Sequence, residues 1–175
     1  MIDEQWCRFL KKNNFLVGLS IDGPAHLHDA FRKAKDGSPT FHKVVRAARL
    51  LRRFDVPFNT LTSVNRLNAA YPLEVYRFLR QELGATHIQF SPVVEAKGFE
   101  QAAPRWKDGS HLPGKDDLRA WHGHPESIVT DWSVDPEEWG AFLCKVFDEW
   151  RNRDLGKVLV NQFETLVSQH LGLGP

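Results

Sequence analysis

Three groups of residues in this chain have types and spacings suited to chemistry. Ser20 and Asp22, in the stretch VGLSIDGP, stand two apart at the end of an apolar run. Residues i and i+2 of a β-strand point to one face, so a hydroxyl and a carboxylate lie side by side there while Leu19 and Ile21 point the other way. Gly23 and Pro24 stop the strand, which puts the pair at its carboxyl end, where α/β folds hold their ligands. Asp22 has a second reading, as a local cap accepting hydrogen bonds from the amides of the 23–25 turn. His26 and His28 have the HxH spacing that brings two imidazoles onto one divalent metal in barrel hydrolases, and His122 and His124 repeat it with Asp131 nearby. Such a pair normally lies on a strand, whereas His26 and His28 follow the Gly-Pro turn. Cys7 and Cys144 are the only cysteines. Each falls in an apolar helical pattern, which reads as two buried thiols rather than a disulfide or a metal pair.

The elements that must position these groups alternate. Trp6, Phe9 and Leu10 recur at helical spacing and predict a helix over 3–13, followed by a strand over 15–21. Ser38 as N-cap and Pro39 in the first turn start a helix whose apolar stripe runs from Phe41 through Val44, Ala48 and Leu51. A second strand spans 57–64. A helix opens at Pro72 and closes at Gly84, and 87–94 is the third strand. The segment 95–130 is polar and rich in Gly, Pro and charge, too long for an ordinary connection, and reads as a functional loop, an insertion or a disordered segment. Asp135, Pro136, Glu137 and Glu138 start a helix with Phe142, Val146 and Trp150 on its buried face. A short strand at 158–160 and a last helix follow. Strand–helix alternation implies a parallel sheet with outer helices, an α/β fold, yet four strands neither close a barrel nor cover both edges of an open sheet.

Composition narrows the function classes. With 42% hydrophobic and 11% aromatic residues over 175 positions, the chain is globular rather than disordered. A net charge of +1 gives no sign of a nucleic-acid or membrane partner, and the Arg46, Arg49, Arg52 and Arg53 run reads as a solvated helix face. No apolar run reaches the ~20 residues of a membrane span, and the acidic start MIDEQWCRFL is unlike a signal peptide, so a cytoplasmic location is expected.

At Ser20 and Asp22 the sequence resembles the anaerobic sulfatase-maturating enzymes, of the radical S-adenosylmethionine (SAM) superfamily. The resemblance is carried by FLVGLSIDGP followed by His28-Asp29 and Arg32, then by SPTFHKVVRAARLL, VPFNTLTSVN, HIQFSPVVE, VTDWSVDPEEWGAFLCKVFDEW and VLVNQFETLVSQHLG. It implies a partial (β/α)6, TIM-like barrel, with 1–94 as barrel βα units, 95–130 as a long loop or insertion, and 131–175 as the last helix, strand and helix of this part. SAM would lie across the carboxyl ends of the strands. Ser20 would be a hydrogen-bonding ligand and Asp22 a second polar contact or an organiser of the turn. Val94 would pack near the adenine, and Arg32 would pair with Asp22 or with an acidic group of the ligand.

The implied parent reaction oxidises a cysteine or serine of a sulfatase polypeptide to formylglycine, using SAM and 4Fe–4S clusters. The segment 95–130 would then help to cover the substrate peptide at the mouth of the barrel. The family's CxxxCxxC motif is missing, and two cysteines cannot hold a cluster. The cysteine-rich carboxyl-terminal domain for auxiliary clusters is likewise expected to lie beyond this chain. The chain alone is therefore expected to be an inactive central fragment of a maturase. The alternatives are a metal-dependent hydrolase using His26 and His28, or a non-catalytic binding remnant.

Overall fold

Four strands line up in chain order, β1-β2-β3-β4, and every neighbouring pair is parallel. The computed structural model describes residues 2–97, 113–114, 116–120 and 123–172. Helix α1 (Glu4–Lys12) precedes β1 (Val17–Ser20), and α2 (Ala25–Phe31) and α3 (Phe41–Arg53) lead to β2 (Phe58–Val64). Helices α4 (Arg66–Ala69) and α5 (Pro72–Arg77), the latter continued by a π-helical turn (Phe78–Glu82), lead to β3 (His87–Pro92). Helix α6 (Pro136–Arg153), strand β4 (Leu159–Val160) and helix α7 (Asn161–His170) complete the order, with a short 3-10 turn at Leu118–Ala120. Each parallel step needs a crossover, and these helices supply it.

Alternation along the strands separates two faces. In β2, Phe58, Thr60, Thr62 and Val64 are buried while Asn59, Leu61 and Ser63 are only partly so. The buried side, with Ile21, Ile88 and Phe90, joins the helices in one core, where Phe90 meets Phe142 of α6 edge to face at 5.1 Å. The register sets Ser20 opposite Leu61 and Leu61 opposite Gln89. Ser20, Asn59, Ser63 and Gln89 therefore share the other, polar side of the sheet.

Local chemistry explains where helices begin, and corrects one expectation. Asp3 accepts from the Trp6 amide and Asp135 from the Glu137 amide, so α1 and α6 start as the sequence predicts. Helix α3 does not start at Ser38. The carboxylate of Asp29, carried in by α2, accepts the amides of Thr40 and Phe41 at 2.8 and 2.9 Å and fixes the first turn there. Ser38 instead gives its amide to Asp36 in the preceding turn.

The two cysteines part company. Cys7 is buried, but Cys144 is exposed, against the expectation of two buried thiols. Helix α6 buries Phe142, Val146 and Trp150 at four-residue spacing, and a residue two positions from Phe142 is carried to the solvent side. Helix α1 likewise turns Cys7 inward and leaves Trp6 and Phe9 half exposed, at 54% and 50%. At the far end of the helical layer, Asp154 is fully buried and is held by the Tyr76 hydroxyl and the Arg80 guanidinium, tying the π-helical turn to the end of α6. No described helix is long and apolar enough to cross a membrane.

Candidate functional site

Immediately after β1 the chain makes a left-handed turn at Gly23 (φ +128°) and enters α2. This turn brings Asp22, His28 and Arg32 together at the carboxyl end of the sheet. The Asp22 side chain is 3% exposed and forms an ion pair with Arg32, from Nε at 2.6 Å and from Nη2 at 3.2 Å. Its Oδ1 also accepts the Ser63 amide at 2.8 Å, and Arg32 Nη2 donates to Ser63 Oγ at 3.0 Å. The main chain of Asp22 is held as well: its N–H meets Nδ1 of His28 at 3.2 Å and its carbonyl accepts Asn68 Nδ2 at 3.0 Å. All four polar groups of Asp22 are thus engaged, and the partners of its carboxylate come from β2 and from Arg32, just past α2, rather than from the amides of its own turn. Asp22 is an organiser of the mouth.

Ser20 differs. It is partly exposed on the polar side of the sheet, and its hydroxyl has no hydrogen bond among the described residues. The Arg32 side chain is 33% exposed, and Nη1 has no partner among the described residues, so that edge of the guanidinium is available at the mouth. Val94, two residues beyond β3, is 67% exposed there. Val93 and Val134 bond in series to Val64, and the backbone pairs again at Ala96 and Val129, so both ends of the long segment are anchored at this rim. The Arg66 amide bonds the Trp132 carbonyl, and Trp132 gives its indole N–H to Glu95. Phe31, Leu67 and Trp132 line an apolar cleft of ≈ 440 Å³ flanked by Arg66 and Asp131.

The two imidazoles of the HxH pair do not converge. They lie on a helix, where residues two apart diverge. His28 is fully buried between Asp22 and Thr40, while His26 is exposed and faces Glu74 at 3.6 Å. Burial pushes His28 below the usual histidine range, against the pull of Asp22 and Asp29. Among the described residues no three His, Cys, Asp or Glu side chains group to hold a metal. His122 lies outside the described residues.

Ser63 and Asn68 were not singled out in the sequence. Ser63 is two positions from Leu61 on the polar side of β2, a signal that periodicity carries. Asn68 is fully buried, bonds the carbonyls of both Asp22 and Ser63, and forms a reciprocal cap with Asn65 at the start of α4. The N-x-x-N spacing of that cap is the only local trace of it.

Comparison with known proteins finds relatives of this chain. The chain is 39% identical over all of its 175 residues to a serine-type anaerobic sulfatase-maturating enzyme of Bacteroides thetaiotaomicron, covering 39% of that protein. It is 41% identical over 173 residues to a cysteine-type enzyme of Clostridium perfringens, covering 38% of it. The solved structure of native anSMEcpe with bound AdoMet superposes on 98% of the chain with a TM-score of 0.70 at 31% identity. By sequence and by fold, the chain is related to the anaerobic sulfatase-maturating enzymes. It spans about two fifths of the length of these maturases. No protein-family model matches it. A further maturase structure holds both AdoMet and a peptide, Cp18Cys, and aligns over the same 98% of the chain. Percent identity alone, 39% to the serine-type and 41% to the cysteine-type enzyme, does not sort the chain into either type.

A 4Fe–4S cluster does not fit the residues present. Cluster binding takes three or four thiolates, whereas Cys7 is buried on α1 and Cys144 is exposed on α6. SAM does fit: among the described residues the polar rim offers a hydroxyl without a partner, one guanidinium edge without a partner and an exposed apolar residue.

Proposed function

We propose that this chain is the cofactor-cradling part of a sulfatase maturase barrel, holding SAM at the carboxyl mouth of its strands. The observation that carries this reading is the contrast between Ser20 and Asp22. Asp22 is saturated with partners, while the hydroxyl of Ser20, at the end of the same strand, has none among the described residues. In this reading Ser20 hydrogen-bonds the ribose or methionyl part of SAM, and Arg32 turns its free edge to an acidic group of the ligand. Val94 gives the adenine an apolar contact. Asp22 touches no ligand; it holds Arg32 in the orientation that leaves that edge open.

Bound SAM would supply the hydrogen-abstraction chemistry. This chain's part is to bind and orient the cofactor, and to keep a fixed rim around it. The whole-enzyme activity we propose is oxidation of a sulfatase cysteine or serine to formylglycine, with a sulfatase polypeptide as macromolecular partner and the cytoplasm as location. The division into 1–94 barrel units, a 95–130 insertion and a 131–175 closing part belongs to the same proposal. The chain by itself lacks the thiolates for a cluster, and is inactive in this reading.

Titration of the chain with SAM tests this. The expected result is saturable binding, with no reductive SAM cleavage after treatment with iron and sulfide. Absence of any saturable binding would favour a non-catalytic remnant.

A further inference from the structure

One buried titratable side chain lies behind the mouth without reaching its open face. His28 has no exposed surface, and both of its ring nitrogens are engaged. Nδ1 faces the main-chain N–H of Asp22 at 3.2 Å, and Nε2 lies 3.0 Å from Thr40 Oγ1. Counting protons fixes the tautomer. Thr40 Oγ1 lies 2.6 Å from the Arg32 carbonyl, which can only accept, so the hydroxyl proton points there. Thr40 Oγ1 must then accept from His28, so Nε2 carries the ring proton and Nδ1 is left bare for the Asp22 N–H. Thr40 is itself held by Asp29, which takes its amide at 2.8 Å.

We propose that His28 is a positioning residue for the ligand-binding mouth: as a neutral imidazole with its proton on Nε2, it fixes the main chain at both ends of the Asp22–Arg32 ion pair. One end is held directly, at the Asp22 amide. The other is held through Thr40, at the Arg32 carbonyl. The guanidinium is thereby anchored at its carboxylate partner and at its own backbone, and its free edge has one direction left. The value of that direction to SAM rests on the function proposed above; the clamp itself does not.

The clamp has one protonation state. A second proton, on Nδ1, would set an N–H against the Asp22 N–H and break the contact. The charged groups facing the ring are Asp22 and Asp29, which favour that proton, and Arg32, which opposes it. Helix α3 and its cap contribute Thr40 and the ring of Phe41, 6.1 Å away centre to centre. Burial outweighs the two carboxylates and holds His28 below the ordinary histidine value of about 6.5. The sign follows: the neutral imidazole's contribution is complete above the unfolded value, declines as pH falls past it, and is gone below the folded value.

Heteronuclear NMR of the chain without ligand tests this, from about pH 7.5 down through the protonation of His28, followed on its own ring resonances. The expected results are an Nε2–H tautomer at neutral pH and a loss of protection of about five-fold for the Asp22 amide and the Arg32 Nε–H, relative to their unprotected exchange rates. Both losses should share the midpoint of His28 protonation. His28→Asn, whose Oδ1 replaces Nδ1 as acceptor and does not titrate, should keep the Asp22 amide protected with no midpoint in this range. His28→Phe should lose that protection at every pH. An Nδ1–H tautomer, or Arg32 protection indifferent to His28 protonation, would overturn the proposal whether or not the variants fold. Adding SAM to the same sample separates the two claims: no resonance shift would sink the ligand reading and leave the clamp standing.

Discussion

Asp22 and Arg32 show how far one ion pair governs the mouth. Their contact is buried on the carboxylate side and a third exposed on the guanidinium side, so removing the negative charge leaves an arginine that can partly rehydrate. We expect Asp22→Asn to destabilise the fold by about 2 kcal/mol, less than for a fully buried pair, as read from urea unfolding. An unchanged midpoint would mean that the Ser63 and Asn68 contacts hold the turn alone. The period-two argument put Ser20 on the polar side of β1, where the register keeps it, and the resemblance brought in Arg32 as a partner of Asp22. What the local sequence could not supply was the identity of the partners. Ser63 and Asn68 lie 41 and 46 residues from Asp22, and no window of sequence contains both ends of those bonds. The pairing with Arg32 that the resemblance implies is present, while the local cap is not: the carboxylate bonds Arg32 and Ser63 rather than the amides of the 23–25 turn.

At the scale of elements, strong local signals located strands and helices, and tertiary contacts moved their ends. Pro136 and Asp135 start α6 as read, because the cap lies within the segment. Helix α3 starts later than Ser38 because its capping carboxylate comes from Asp29, on another helix. Helix α2 was missed, since AHLHDAF is short and has no side-chain cap of its own. Gly84 was read correctly as the residue that ends the third helix: its φ of +72° is left-handed, and a Cβ there would stand 2.8 Å from Arg52 Cζ. The guanidinium can swing aside, so the backbone conformation dominates the cost. Gly84→Ala is expected to lose about 1–2 kcal/mol in chemical denaturation, and a neutral result would contradict this account of the turn.

Across the whole molecule, the sheet has two edge strands among the described residues, β1 and β4, and apolar side chains lie near both. Trp6, Phe9, Phe15 and Leu16 are 48–59% exposed on the β1 side, and Leu159 and Leu166 are 45% and 61% exposed on the β4 side. Unpaired strand edges beside exposed apolar surface favour association. Light scattering should therefore show mass rising with concentration, and Phe9→Lys with Leu166→Lys should reduce that rise. A monodisperse wild-type monomer across the range would contradict it.

The central claim, that the carboxyl mouth of this sheet cradles SAM through Ser20, is tested most directly by calorimetric titration of SAM into the wild-type chain and Ser20→Ala. Because the Ser20 hydroxyl has no partner among the described residues, the substitution should change stability by less than about 0.5 kcal/mol. It should weaken SAM binding about ten-fold, the loss expected for one hydrogen bond to a polar ligand. Equal affinity in the two proteins, both folded, would contradict the assignment of Ser20 as the ligand-binding hydroxyl.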